Sequence, residues 1–379
     1  MENDIFKIHS EHTGVLEIES DFDVHNKKEL SEAYTPGVAQ ISKAIQKDPS
    51  LKKDYTLSGK LVAVVTDGTA VLGLGNIGPG AGLPVVEGKA LLYKDLAEVN
   101  ALPVAVEPED AQTIAAHIKA ISKTFAGIHL EDIAAPKCFE LEEILSKELD
   151  IPVYHDDQEG TAIVVLAGLI NAAKVVGKDL KSLNVVVNGV GASGVATARL
   201  LSEVGIKNVT LVDAHGVVHA DSADYNRYQT DLAKGFNGKH GETLDDIIDD
   251  QDAFIGLSVA DVLSKEQVQR MAKDPIIFAL SNPNAEIDPA VAKEAGAAVI
   301  ATGSSKYPNQ VNNILAFPGL FKGLLATGIT KVTYEIEEVV AYALANLISE
   351  PTSERIVPGV FDGNVVETVT KSIVDYKNK

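Results

Sequence analysis

The chain has 379 residues, 45% of them apolar and 5% aromatic, with no Trp; 33 Lys and Arg against 54 Asp and Glu give a formal net charge of −21. That length allows two domains, each with its own core, and the charge argues against a nucleic-acid partner or an anionic membrane surface. The single cysteine, Cys138, excludes a disulfide framework and a cysteine-built zinc site, and reads as a packed thiol.

In chain order, MENDIFKIHSEH is acidic and polar rather than basic and then apolar, so no secretory leader is expected. The apolar run 162–173 is short for a bilayer and carries Asn171. A soluble cytoplasmic protein is therefore expected. Residues up to roughly 30 show weak periodicity, as an arm on a neighbouring subunit would. Tyr34 follows in YTPGVA, where Pro36-Gly37 enforces a turn; alone it reads as a packing residue.

Strands are predicted over 61–66, 103–106, 128–132 and 153–155, with helices over 110–124 and 139–147. Lys89, at the edge of the apolar stretch 90–93, has two readings. A surface lysine with a snorkelling stem is one; a base whose pKa is lowered by desolvation is the other. A long apolar helix over 161–176 leads to further strands over 185–187, 209–212, 253–257, 276–280 and 298–302, and residues 314–379 look helical. The alternation of valine-rich runs with helical patterns predicts an α/β protein. It comprises an N-terminal domain of parallel strands (1–158) and a Rossmann-type dinucleotide-binding domain with C-terminal helices (159–379).

The segment 184–213, NVVVNGVGASGVATARLLSEVGIKNVTLVD, is the strongest local signal. A strand runs into Gly189-Val190-Gly191-Ala192-Ser193-Gly194, a helix follows, and a second strand closes on Asp213. Gly189 permits the turn, Gly191 the approach of a pyrophosphate, and Gly194 the close packing of helix on strand. Asp213 stands where a carboxylate accepts from a ribose 2′-OH, favouring NAD over NADP, with Lys207 and His215 near enough in sequence to weaken that preference. The predicted strand ends also carry acids: Asp67, Glu131-Asp132 and Asp156-Asp157. Acids brought together repel one another unless a hard cation such as Mg²⁺ or Mn²⁺ joins them. Solvated acids, or caps of the next helix, are the alternatives.

The chain resembles the malic enzymes, specifically their short bacterial form, over nearly its whole length. The segments that carry the resemblance are YTPGVA (34–39), TDGTAVLGLGNIGPGAGLPVVEGKALLYK (66–94), EDIAAPKCFELE (131–142), PVYHDDQEGTA (152–162), NGVGASG (188–194), ALSNP (279–283) and YPNQVNNILAFPG (307–319). The resemblance implies oxidative decarboxylation of L-malate to pyruvate and CO₂, by way of oxaloacetate, with NAD (or NADP) and Mg²⁺ or Mn²⁺, in a homodimer. It makes Tyr34 the general acid and Lys89 the general base. It makes Glu131, Asp132 and Asp157 metal ligands, with Asp156 in support, and puts Asn282 and Asn313 on substrate or nicotinamide. One departure stands out: Ala70 occupies the place where large-subunit relatives carry a carboxylate-binding arginine. Oxaloacetate decarboxylation without net redox, conversion of malate to lactate, and a dinucleotide-sensing role are the rival readings.

Overall fold

A computed structural model describes residues 2–379. Two parallel sheets dominate it. The first has four strands in the order β2-β1-β3-β4, with β1 Leu61–Thr66, β2 Asn100–Ala105, β3 Gly127–Glu131 and β4 Val153–His155. The second has six in the order β10-β9-β8-β5-β6-β7. Its strands are β5 Val185–Asn188, β6 Val209–Asp213, β7 Gly216–Val217, β8 Ala253–Gly256, β9 Ile276–Ala279 and β10 Val299–Thr302. All pairings are parallel except the short β6–β7 hairpin. The central strands are valine- and isoleucine-rich and buried on both faces, as parallel strands covered by helices must be.

Register sets the functional edge. Thr66 lies opposite Glu131, and Leu130 opposite His155, so β1, β3 and β4 end at nearly one level. The chain leaving them brings Asp67, Asp132, Asp156 and Asp157 to the same rim, where parallel sheets bind ligands.

Asp156–Gly160 forms a π-helical turn that runs directly into the helix Thr161–Val176. Together these 21 residues are long and apolar enough to cross a bilayer, contrary to the expectation from 162–173 alone. They are a core element instead: 78% of the apolar window is buried inside the protein. Gly168 lets the helix approach the Phe278 ring of β9, and Asn171 donates to the carbonyls of Ala345 and Ile356.

A 20-residue helix, Gly78–Ala97, was not legible as one; its glycines and an internal Pro84 hide it. Of the C-terminal helices, Tyr334–Asn346 stays with the second sheet, packed on Thr161–Val176, whereas Phe317–Thr327, with Val365–Lys377 packed on it, returns to the first. Phe317 and Phe321 pack edge-on against Tyr93, and Phe321 against Tyr154, behind the first sheet. One apolar core therefore runs from Val62 to Ile373, with a smaller one around Val186, Phe254 and Ile277 on the other face of the second sheet.

The N-terminal helices Lys27–Ala33 and Gly37–Lys47 bury no residue at all. Ile5, Phe6, Ile18, Phe22, Leu30, Tyr34, Val38 and Ile41 are exposed along this region.

Candidate active site

Lys89, on the helix Gly78–Ala97, reaches the rim of the first sheet and is the hub of the site. Its Nζ lies 3.1 Å from Glu131 Oε1, pairs with Asp156 Oδ2 and donates to Asn313 Oδ1 at 3.3 Å. The same ammonium sits 4.8 Å from the centroid of the Phe317 ring, which closes the site from behind. Asp156 Oδ1 accepts from the Tyr154 hydroxyl at 2.6 Å. Asp156 is thereby committed on both oxygens.

Asp157 points the other way, into a second group. Ligand atoms of Glu131, Asp132 and Asp157 lie within 4.8 Å of one another. The Asp132 backbone N–H donates to Asp157 Oδ2 at 2.9 Å, and Asp132 itself has a φ of 55°, a left-handed conformation that Asp tolerates better than most residues.

The electrostatics separate these groups. Burial works against the charged form of Lys89, but Asp156 and Glu131 outweigh it and hold the ammonium above its ordinary pKa. The lowered value expected from desolvation is thus corrected: two carboxylates reach the amine, and sequence does not show them meeting there. Burial likewise works against Glu131, yet Lys89 and His129 bring it down to about 2. Asp132 is pushed up to about 7, by burial first and then by Glu131. Asp157 is pushed well above the carboxylate range by burial, Glu131 and Asp132.

Three acids in mutual conflict, one of them with a buried oxygen (Asp132 Oδ2) that has no hydrogen-bond partner, fit a hard divalent cation. An ion there offsets the repulsion that raises Asp132 and Asp157.

The second sheet carries the glycine loop. Gly189 has a φ of 105°, and a side chain on it would strike the Leu257 carbonyl. A side chain on Gly194 would overlap the Gly189 carbonyl, whereas one on Gly191 would meet nothing within 4 Å. Val190, Ala192 and Ser193 complete the turn into the helix Ala192–Glu203, whose N-terminus has no side-chain cap. Its first N–H groups are free for a pyrophosphate. At the end of β6, Asp213 Oδ1 accepts from the Tyr225 hydroxyl and the His215 N–H, both at 2.8 Å. Lys207 turns away to Ser202, so it does not offset the Asp213 charge.

The two sheets meet across the rim: a Cβ on Gly73 would lie 3.5 Å from the carbonyl of Asn282, in the loop after β9. Buried Glu286 ties that loop to the one after β8, accepting from the Ser258 and Ser281 N–H groups at 3.0 Å each.

Lys89, Glu131, Asp132, Asp156, Asp157 and Asn313 thus come together in one chain, while Asn282 lies beside Gly73 by its backbone and against Gly303 by its side-chain amide. Tyr34 does not join them. It is 66% exposed, and its hydroxyl has no hydrogen-bond partner among the described residues. Sequence reasoning passed over Tyr93, His129, Tyr154, Glu286 and Lys137, which pairs with Asp67 at the rim, all ordinary core or surface types with no local signature. It also passed over Gly160, where a Cβ would overlap both Asp156 Oδ1 and the Tyr154 hydroxyl. Cys138 is a buried thiol pushed up by burial, as a packing role predicts.

Comparison with known proteins matches both halves. Residues 16–116 fit the family described as malic enzyme, N-terminal domain, and residues 158–374 fit malic enzyme, NAD binding domain. A bifunctional malic/malolactic enzyme of Bacillus subtilis is 49% identical over 97% of this chain and 90% of its own length. An NAD-dependent malic enzyme of Geobacillus stearothermophilus is 46% identical over 96% of this chain and 76% of its own. The crystal structure of a malic enzyme from Pyrococcus horikoshii superposes with a TM-score of 0.94 at 40% identity, covering 99% of this chain and 90% of that one.

Proposed function

The chain belongs to the malic enzyme family, and from that membership we infer that it converts L-malate to pyruvate and CO₂ while reducing NAD, with a divalent cation required. The observation that carries the inference is the buried rim at which Lys89 meets Glu131, Asp156 and Asn313, with Asp132 and Asp157 beside them.

Glu131, Asp132 and Asp157 are the residues that would hold Mg²⁺ or Mn²⁺, which when bound polarises the C2 oxygen of the substrate as a Lewis acid. Lys89, once it has lost to solvent the proton that its acids hold on it, takes the proton of the C2 hydroxyl as C2 gives up its hydride to the nicotinamide. Asp156, fixed by Tyr154, keeps the amine directed at that oxygen, and Asn313 steadies it from the other side. Once CO₂ has left, Tyr34 supplies the proton to C3. Asn282 borders the cleft where substrate and nicotinamide meet. The 189–194 loop takes the pyrophosphate, and Asp213 the adenosine ribose, which favours NAD over NADP.

Tyr34 is the member of this set that its own chain leaves in solvent, on helices that bury nothing and expose a run of apolar side chains. Large apolar side chains exposed in such number along one segment call for cover. We propose a homodimer in which each N-terminal segment lies on the other protomer and delivers Tyr34 to that protomer's site, as two-fold symmetry allows.

The test is an initial-rate assay with malate, Mn²⁺ and either NAD or NADP, with the product identified. Pyruvate and NADH formed in equal amounts are expected. CO₂ release from oxaloacetate with no malate oxidation would sink the redox reading. The name of the Bacillus subtilis relative favours one second reading, in which pyruvate takes the hydride back together with a proton and leaves as lactate. Lactate without net NADH would establish it.

A further inference from the structure

Behind Glu131 lies a buried row that the reaction above does not use. His129 and Glu131 are two apart on β3 and so share one face of the strand. His129 Nε2 lies 2.7 Å from Glu131 Oε2, and the Tyr93 hydroxyl lies 2.8 Å from His129 Nδ1. All three are buried, and the imidazole is held edge-on by Tyr93 and Phe317 at interplanar angles of 84° and 86°.

The proton positions in this row follow from chemistry. Glu131 Oε1 already faces the Lys89 ammonium, so the carboxylate accepts at Oε2 as well, and Nε2 carries the hydrogen. Tyr93 is pushed well above the usual phenol range, chiefly by burial, and Nδ1 is its one side-chain partner. Its O–H therefore donates to Nδ1. The imidazole is thus held at both ring nitrogens, in a single orientation.

An alternative role as a metal ligand is excluded by the same contacts. His129, Glu131 and Asp156 do bring ligand atoms within 4.8 Å of one another. The Lys89 ammonium already bridges Glu131 and Asp156, however, and the Nε2 lone pair is replaced by a hydrogen.

We propose that His129, locked by Tyr93, is a positioning residue that fixes the rotation of the Glu131 carboxylate, so that one group serves both Lys89 and the divalent cation. A carboxylate free to rotate would trade its contact with Lys89 against its place beside Asp132 and Asp157. Pinning Oε2 from behind removes that trade. The inference rests on Glu131 being a metal ligand.

The experiment measures Mn²⁺ binding to the purified protein by the electron paramagnetic resonance of free Mn²⁺, alongside kcat, KM and NADH affinity. His129→Ala is expected to weaken Mn²⁺ binding about 10–100-fold, and His129→Gln, whose amide still donates, to recover it to within about 3-fold of wild type. Tyr93→Phe should lose an intermediate amount, with NADH affinity unchanged in every variant. Wild-type Mn²⁺ binding in His129→Ala would overturn the proposal. So would a His129→Gln variant as weak as the alanine one, which would mark His129 as packing alone. Should the alanine variant fail to fold, the glutamine and phenylalanine variants carry the test. Glu131→Gln separates the two levels: undiminished Mn²⁺ binding there removes the metal-site reading and this inference with it. Weakened binding there with no effect at His129 removes this inference only.

Discussion

The Lys89 ammonium and the Glu131 carboxylate face each other at 3.1 Å with almost no solvent between them, Lys89 being 12% and Glu131 5% exposed at the side chain. The lysine is thereby stored in its protonated form. It becomes a base only when the pull of its acids is weakened, as a cation on Glu131 would do. Lys89→Ala is therefore expected to lower kcat for malate oxidation by about 10²–10⁴-fold, the usual worth of a positioned proton-transfer group. NADH binding, measured by fluorescence titration, should stay near wild type. A parallel loss of both would point to a collapsed fold rather than a missing base.

If Tyr34 crosses to the neighbouring protomer, Tyr34→Phe and Lys89→Ala fall in the same composite site when they sit on different chains. Two individually inactive variants, unfolded together and refolded as a mixture, should regain about a quarter of wild-type activity. Half of the dimers are mixed, and each of those has one intact site of two. A mixture as inactive as its components would return Tyr34 to its own chain's site.

Asp213 Oδ1 is taken by Tyr225 and His215, which holds the carboxylate in place at the end of β6. Asp213→Ala should remove both the ribose acceptor and the charge that repels a 2′-phosphate. The ratio of kcat/KM for NAD over NADP is expected to fall by about 10-fold or more, in line with the loss of one charge-assisted contact of roughly 1.5–3 kcal/mol. An unchanged ratio would place the ribose elsewhere.

Glu337, 4% exposed, is pushed well above its ordinary value of 4.5 by burial, then by Glu142 and against the pull of Arg199. The folded protein thus holds this proton more tightly than the unfolded chain does. The associated stability is complete below pH 4.5 and is lost as pH rises towards the folded value. Glu337→Gln mimics the protonated acid at every pH. It should match wild type in melting temperature near pH 4 and exceed it by about 2–4 °C at pH 8, the shift that ~1 kcal/mol gives in a large domain. A variant that melts lower than wild type at pH 8 would contradict the assignment.

The dinucleotide half was legible because its signal is local. The spacing of Gly189, Gly191 and Gly194 states a backbone geometry directly, and the structure uses Gly189 and Gly194 for the contacts that geometry requires. The acids were legible as strand ends, but only register brought Glu131, Asp132 and Asp157 to one level. The helix that carries Lys89 was hidden by residues that disfavour helices in isolation and are accepted here because tertiary packing decides. The charge state of Lys89 depends on acids far away in sequence, and Tyr93 and His129 act through contacts that no periodicity announces. Tyr34 was legible as a motif and not as a place, because in its own chain the side chain stays 66% exposed.

The turn Asp156–Gly160 joins β4 of the first sheet to a long rod seated on the second. Asp156 and Asp157 are consequently carried by the stem of one lobe, while Glu131 and Asp132 belong to the floor of the other. A rocking of one lobe against the other would bend this seam, together with the return crossing after β10, and so change the spacing of the acids. A cation gripping both sides would act as a rivet, so that loading the metal and setting the jaw angle become one event.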